Sequence, residues 1–129
     1  MSKGIICFEI LLMMRDHSKL RAFQLADEIV LLIYRTTNNF PKGEMFGITS
    51  QMRRAAVSIT SNIVEGCARS SQVEYHRFLE IAFGSLRELH YQYSVASRLG
   101  YVDEQYVKEL NEKLTEAEKV LGALVRSMR

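Results

Sequence analysis

The chain has 129 residues, of which 47% are hydrophobic and 25% are charged, enough for one domain with a sizeable core and too apolar for a wholly disordered chain. One Pro and seven Gly argue against a loop-rich protein of many strands. The formal net charge of +2 is too small to indicate nucleic-acid binding by bulk charge alone.

The chain begins with residues 1–14, in which an apolar run is interrupted by Glu9. The run is shorter than the about 20 residues that span a bilayer. It is followed by Met14-Arg15-Asp16-His17, which offers no small-residue cleavage site for a signal peptide. Two interpretations stay open: an extension upstream of the biological start, or an apolar strip that packs on the domain. We therefore treat residues 1–14 as a leader and place the domain at residues 15–129.

Two helices are predicted in the first half of this domain. Apolar residues from Leu20 to Asn38 recur at helical rather than alternating spacing. Pro41 ends the segment, because the residue before a Pro is disfavoured in the helical conformation. The second helix is predicted from about Thr49 to Arg69, with Thr49 or Ser50 capping its free amides.

Two longer helices are predicted in the second half. Ser71 and Glu74 form a capping-box pattern at the start of the third helix, which ends at Leu99 before Gly100. Asp103 can cap the fourth helix, which runs to the C-terminus. Both helices carry apolar residues at alternating steps of four and three, as in left-handed packing at about 20°. Because the connections are short, the sequence predicts an all-α fold, an up-and-down antiparallel four-helix bundle.

The second predicted helix carries more apolar surface than one buried face needs. Its main arc consists of Ile48, Met52, Ala55, Ala56, Ile59, Ile63 and Cys67. Val57, Thr60 and Val64 widen this arc, which predicts that they are buried against another subunit of a homo-oligomer. Packing within one chain is the alternative. Arg54 and Glu65 lie on the remaining polar strip, where they either pair with another helix or subunit or are solvated.

The sequence contains no recognisable catalytic, metal or cofactor site. No Glu precedes a His by three residues, as di-metal bundles require, and Cys7 and Cys67 lack Cys-x-x-Cys spacing. A P-loop, a Rossmann fingerprint and a nucleophile elbow are also absent from the sequence. We therefore expect no enzymatic activity, metal or cofactor. Two cysteines cannot form a disulfide framework, which favours a cytoplasmic location without membrane association.

Arginines are concentrated on the second and third predicted helices. They are Arg53, Arg54, Arg69, Arg77 and Arg87. If subunits form a ring, each basic patch is repeated, so that contacts with phosphate that are weak in one subunit become multivalent. This pattern predicts binding of structured RNA or DNA. In the alternative, the arginines satisfy helix ends and Glu partners, and the oligomer is a scaffold for a protein partner with no nucleic-acid role.

Several short motifs follow one another across residues 18–125. They are Ala22-Phe23-Gln24-Leu25-Ala26, Phe40-Pro41-Lys42-Gly43-Glu44, Gln51-Met52-Arg53-Arg54-Ala55-Ala56-Val57-Ser58-Ile59, Ser61-Asn62-Ile63-Val64-Glu65-Gly66, Arg69-Ser70 and Phe78-Leu79-Glu80-Ile81-Ala82-Phe83-Gly84-Ser85-Leu86-Arg87-Glu88-Leu89. Their combination resembles the four-helix bundle proteins encoded in intervening sequences of bacterial 23S ribosomal RNA genes. Thr60 departs from the family, which often has a Pro there, so the resemblance does not extend to a kink in the second helix.

This resemblance implies a homo-oligomer, a pentameric ring, of unknown molecular function. The family is also similar to the accessory proteins of diversity-generating retroelements, which are basic barrels associated with nucleic acid and a reverse transcriptase. A ribosomal role is suggested by gene location alone, which is an association and not a mechanism.

Overall fold

A computed structural model describes residues 15–129, and four α-helices dominate this range. We number them α1 (Arg21–Thr37), α2 (Ile48–Cys67), α3 (Gln72–Arg98) and α4 (Glu104–Ser127). Short 3-10 helices, His17–Lys19 and Lys42–Glu44, precede α1 and α2, and residues 15–129 contain no strand. The predicted leader, with Cys7, lies outside the described residues. None of the four helices combines the length and apolarity needed to cross a membrane.

Each helix packs against two neighbours around a shared core. α1 contacts α2 and α4, and α3 also contacts α2 and α4, with the α2–α3 contact the most extensive. The largest fully buried side chains come from all four helices: Leu25, Ile29, Ile33, Met52, Ile59, Ile63, Leu79, Leu86, Leu89, Leu110, Leu114 and Leu121. The all-α four-helix bundle predicted from the apolar periodicity is confirmed.

The ends of α3 follow the predicted capping chemistry. Ser71 Oγ accepts a hydrogen bond of 3.2 Å from the Glu74 backbone amide at the start of the helix. At the other end Gly100 has φ +78°, a left-handed conformation that glycine adopts without a Cβ penalty. The Tyr101 amide then donates to the Ala96 carbonyl at 3.0 Å, which completes a Schellman motif.

The predicted cap of α2 is wrong. The helix begins at Ile48, before Thr49 and Ser50. Its N-cap residue is Gly47, which has no side chain that could accept a hydrogen bond from the first turn. Instead, Glu44 Oε2 accepts from the Ile48 amide at 3.4 Å. The 3-10 helix Lys42–Glu44 places this carboxylate beside the first turn of α2, so the helix starts earlier than the sequence pattern indicated. α2 then continues through Thr60 to Cys67.

Asp103 stands at the predicted N-cap position of α4, but its side chain makes a different bond. Its Oδ2 accepts from Asn39 Nδ2 at 3.0 Å, which joins the start of α4 to the segment after α1. Nearby, the buried Phe40 ring lies 5.6 Å from the Tyr101 ring, centroid to centroid. These contacts tie the two interhelical connections at this end of the bundle together.

Candidate nucleic-acid and subunit interfaces

One side of α2 meets α1 and is incompletely covered. Val57 and Val64 are 39% and 37% exposed, although both are large apolar side chains. Thr60 is half-buried, and its hydroxyl donates to the Val57 carbonyl at 2.9 Å. A shallow cavity of about 410 Å³ runs along this side, lined by Phe23, Asp27, Thr60, Ser61, Val64 and Glu65. The three residues predicted for a subunit interface therefore lie together at the α1–α2 boundary.

The exposed apolar surface continues from α2 into α1 and the loop between them. Of the ten exposed large hydrophobic side chains among residues 15–129, six belong to this region: Leu31, Tyr34, Met45, Phe46, Val57 and Val64. We call these six residues the α1–α2 face. Phe46 is 96% exposed and lies with Tyr34, Met45 and Val57 around a cavity of about 490 Å³.

Arg53 is bound to the end of α1. Its Nε donates to Thr37 Oγ1 at 2.8 Å, and its Nη2 donates to Asn38 Oδ1 at 3.2 Å. The guanidinium also lies 4.7 Å from the Tyr34 ring centroid, within the range of a cation–π contact. Arg53 therefore joins α2 to the end of α1. A role of this kind, at a helix end, is the alternative to nucleic-acid binding that the sequence left open.

Arg69 and Arg87 also have partners within the chain. The Arg69 guanidinium lies 4.9 Å from the Phe78 ring centroid, next to the α2–α3 turn. Arg87 Nη1 is 3.1 Å from Glu118 Oε2 on α4, and His90 Nδ1 is 2.6 Å from the other oxygen of that carboxylate. Because Arg53 points to α1 and Arg87 to α4, the five predicted arginines do not form one patch.

Arg54 and Arg77 differ from the other three. Both are exposed, and neither has a hydrogen bond or an ion pair with any residue of the range 15–129. Arg54 is on α2 and Arg77 is on the neighbouring α3. Of the predicted nucleic-acid residues, these two have side chains that no described contact restrains.

The opposite side of α2 forms a polar groove with α3. Ser58 Oγ and Ser85 Oγ are hydrogen-bonded at 2.9 Å across the helix contact. Next to this bond is a groove of about 350 Å³, lined by Gln51, Arg54, Ala55, Ser58, Ser85 and Glu88. We call it the α2–α3 groove. The sequence prediction included Arg54 but missed Glu88, because nothing in the spacing of α3 indicated which of its exposed acids faces α2.

A buried glutamine supports the α3 wall of this groove. Gln92 is only 8% exposed, and its Nε2 donates to Glu88 Oε1 at 3.1 Å. Its buried Oε1 has no hydrogen-bond partner among residues 15–129. A buried amide oxygen without a partner costs about 1–3 kcal/mol, so an additional donor near this position would be stabilising.

The family model for 23S rRNA-intervening sequence protein matches residues 18–123, which is most of the chain. The chain belongs to this family. The resemblance inferred from the sequence motifs is therefore confirmed.

One solved structure is similar to this family member over most of both chains. It is described as a protein of unknown function from the S23 ribosomal protein family of Bacteroides thetaiotaomicron. The TM-score is 0.73 at 22% identity, with 81% of this chain and 95% of that chain covered. At this identity the likeness supports the fold alone. No curated protein matches the chain significantly.

Cys67 is a buried free thiol, as predicted for a small core residue. Burial raises the pKa of the Cys67 thiol and raises the pKa of its neighbour Tyr75 to about 12. The Arg15 guanidinium lies 4.9 Å from the Tyr75 ring centroid. Among residues 15–129, no group of three His, Cys, Asp or Glu side chains is placed to hold a metal ion.

The contrast between neighbouring arginines gives a first testable result. Arg53→Ala removes two hydrogen bonds and a cation–π contact, so we expect the free energy of unfolding to fall by about 1–2 kcal/mol. Arg54→Ala removes no described contact and should change it by less than about 0.5 kcal/mol. Urea unfolding followed by circular dichroism measures both, and equal losses would contradict the assigned roles.

Proposed function

We propose that this protein is a non-enzymatic homo-oligomer that binds structured RNA or DNA through a basic surface repeated in the assembly. The observation that carries the nucleic-acid role is the exposure of Arg54 and Arg77 on adjacent helices, without partners among the described residues. A guanidinium without a protein partner is available for phosphate oxygens or for the acceptor edge of a base. Repeating two such groups around an assembly multiplies a contact that is weak in one subunit.

The α1–α2 face supports the proposed self-association. Monomeric soluble proteins rarely expose large apolar patches, and Phe46, which is 96% exposed, has almost no cover from residues 15–129. Contacts between different surfaces of successive subunits close into rings when the rotation between subunits allows it. We propose the pentameric ring that the family resemblance implies, with Val57, Thr60 and Val64 in the subunit interface.

The arrangement within each subunit is proposed to be up-and-down and antiparallel. Two contacts between α2 and α3 support this direction. Ser58, at the middle of α2, meets Ser85 at the middle of α3, whereas Gly66, near the end of α2, lies against Phe78, which is closer to the start of α3. A cytoplasmic location is proposed from the free thiol of Cys67.

The two sides of α2 allow assembly and ligand binding at the same time. Val57, Thr60 and Val64 lie toward α1, whereas Ser58 lies toward α3. An assembly that covers the α1–α2 face would leave Ser58, Ser85 and Glu88 of the α2–α3 groove open. Arg54 stands between these two sides and borders the groove.

Fluorescence anisotropy tests the nucleic-acid role. The full chain is titrated into a labelled RNA hairpin, a DNA duplex and single strands at several salt concentrations. We expect affinity to fall steeply with salt, and Arg54→Glu with Arg77→Glu to weaken binding at low salt at least about tenfold. Losing the phosphate contact of Arg77 should also reduce the salt slope by about one.

Lys108→Glu with Lys119→Glu is the matched control. It makes the same change of charge on α4, where both lysines are exposed and have no described ion pair. This control should bind nearly as well as the natural chain. Equal losses in both double variants, or no binding of the natural chain at low salt, would contradict the proposal.

A scaffold for a protein partner is the second candidate function. It is favoured by apolar side chains on the outer side of α3, where Val73, Ile81 and Tyr91 are 80%, 45% and 66% exposed. This candidate replaces the first if the natural chain binds no nucleic acid at low salt. A cellular protein should then bind the assembly. This binding should persist after nuclease treatment and at high salt, and Tyr91→Ala should abolish it.

A further inference from the structure

Opposite charges line the α2–α3 groove without pairing with each other. Arg54 on α2 and Glu88 on α3 both border its volume of about 350 Å³. The ion pairs formed within residues 15–129 include neither side chain. The guanidinium is therefore available to a ligand in the groove, and so are both carboxylate oxygens, because Oε1 accepts only one bond, from Gln92, and keeps a lone pair free.

The Glu88 wall is built into the fold. Gln92, more than nine-tenths buried, donates to one oxygen of the Glu88 carboxylate, and its own Oε1 has no partner in the described part of the chain. The hydroxyls of Ser58 and Ser85 bond each other at the helix contact. Of the two charged side chains on the groove, the carboxylate is on α3 and the guanidinium is on α2.

The two opposite charges limit which ligand the groove can bind. A phosphate in the groove would be repelled by Glu88, and a cation would be repelled by Arg54. A neutral planar group with donors along one edge and acceptors along another would satisfy both walls. Guanine has this pattern, since O6 and N7 accept on one edge and N1–H and N2–H donate on another.

We infer that the α2–α3 groove binds an unpaired guanine base. Glu88 accepts from N1–H and N2–H, and Arg54 donates to O6 and N7. The inference rests on the proposed nucleic-acid role and names the base that the assembly reads. The groove volume of about 350 Å³ is within the range of about 300–1,000 Å³ found for small-ligand sites.

Residues around the groove suit a single strand. Arg77 is exposed on the same helix as Glu88 and can contact phosphate outside the groove. Tyr91, three residues after Glu88, is 66% exposed and offers a surface on which a neighbouring base can stack. An unpaired loop of a structured RNA provides both the accessible guanine edges and a flanking base.

Base substitution in one RNA tests the inference without altering the protein. The full chain is titrated by anisotropy into a labelled hairpin whose loop has one guanine among uracils, and into the same hairpin with inosine, 7-deazaguanine or adenine there. Inosine lacks the N2 amino donor, and 7-deazaguanine lacks the N7 acceptor. Each should weaken binding by about fivefold to tenfold, and adenine by more.

Variants test whether the α2–α3 groove is the site that gives the guanine preference. In Glu88→Gln the preference for guanine over inosine should fall to about twofold or less, while the adenine hairpin binds as well or better because a negative charge is gone. A variant with damaged folding would lose affinity for every hairpin instead. Glu109→Gln, the same change at an exposed residue of α4, should keep the full guanine preference.

Three results would overturn the inference, in different ways. If the natural chain binds all four hairpins equally but weakens with salt, the guanine site is wrong and the nucleic-acid role stands. Preserved guanine preference in Glu88→Gln would likewise exclude the α2–α3 groove as the reader. If no hairpin binds even at low salt, the proposed function itself fails and the guanine site fails with it.

Discussion

A chain carrying Val57→Asp and Val64→Asp is expected to sediment as a folded monomer under conditions in which the natural chain is an oligomer. Both valines are more than one-third exposed in the single chain, so an aspartate at either position is solvated in the monomer. In the proposed assembly the same carboxylates would be buried without partners, which costs several kcal/mol per group. Association should therefore be lost while the bundle remains folded.

Sedimentation velocity and circular dichroism together measure the two parts of this prediction. The matched control is Val73→Asp with Ile81→Asp, which places the same two charges on exposed apolar positions of α3. That control should remain oligomeric if the interface is the α1–α2 face. The interface assignment is wrong if the two double variants behave alike, or if the natural chain is monomeric throughout.

Replacing Gly66 by alanine should give the second large effect, a loss of about 1–3 kcal/mol in the free energy of unfolding. A Cβ atom at Gly66 would lie 2.9 Å from Phe78 Cβ and 3.3 Å from a Tyr75 ring carbon. Because Phe78 Cβ is attached directly to the α3 backbone, the clash cannot be relieved by a rotamer change alone. α2 and α3 would therefore have to move apart near the turn that joins them.

Gly84→Ala is the matched control for this substitution. Gly84 is an interior residue of α3, and a Cβ atom there meets no atom within 4 Å. Alanine should therefore stabilise the protein by about 0.5–1 kcal/mol through the lower entropy of its unfolded chain and its higher helix propensity. Urea midpoints at unchanged m-value measure both variants. Stabilisation in both would show that α2 and α3 are not closely packed at Gly66.

The helices were predictable because their signals are local. The apolar repeat of α3 and its caps at Ser71 and Gly100 depend only on residues within one or two turns. The structure therefore has both caps where the sequence predicted them. The start of α2 was not predictable in the same way. It depends on the conformation of the preceding 3-10 helix, which directs Glu44 to the first turn and makes Thr49 a buried residue.

The candidate sites were only partly predictable, because arginine has several uses that look alike in a sequence. Arg53 and Arg54 are adjacent, yet a rotation of about 100° along a helix turns one toward α1 and leaves the other outside. Whether Thr37 and Asn38 would receive Arg53 depends on how α1 and α2 pack. The Glu88 wall likewise depends on the contact between α2 and α3, which no local pattern encodes.

The exposure of Phe46 bears on how fast an unassembled subunit is degraded in the cell. A newly made subunit that has not assembled presents this side chain, 96% exposed, beside Tyr34 and Met45. Chaperones and proteases engage exposed hydrophobic segments of this kind, and partner binding stabilises a folded subunit by mass action. If the chain assembles as proposed, unassembled subunits should be degraded faster than complete rings, and the subunit interface would then also set the abundance of the protein.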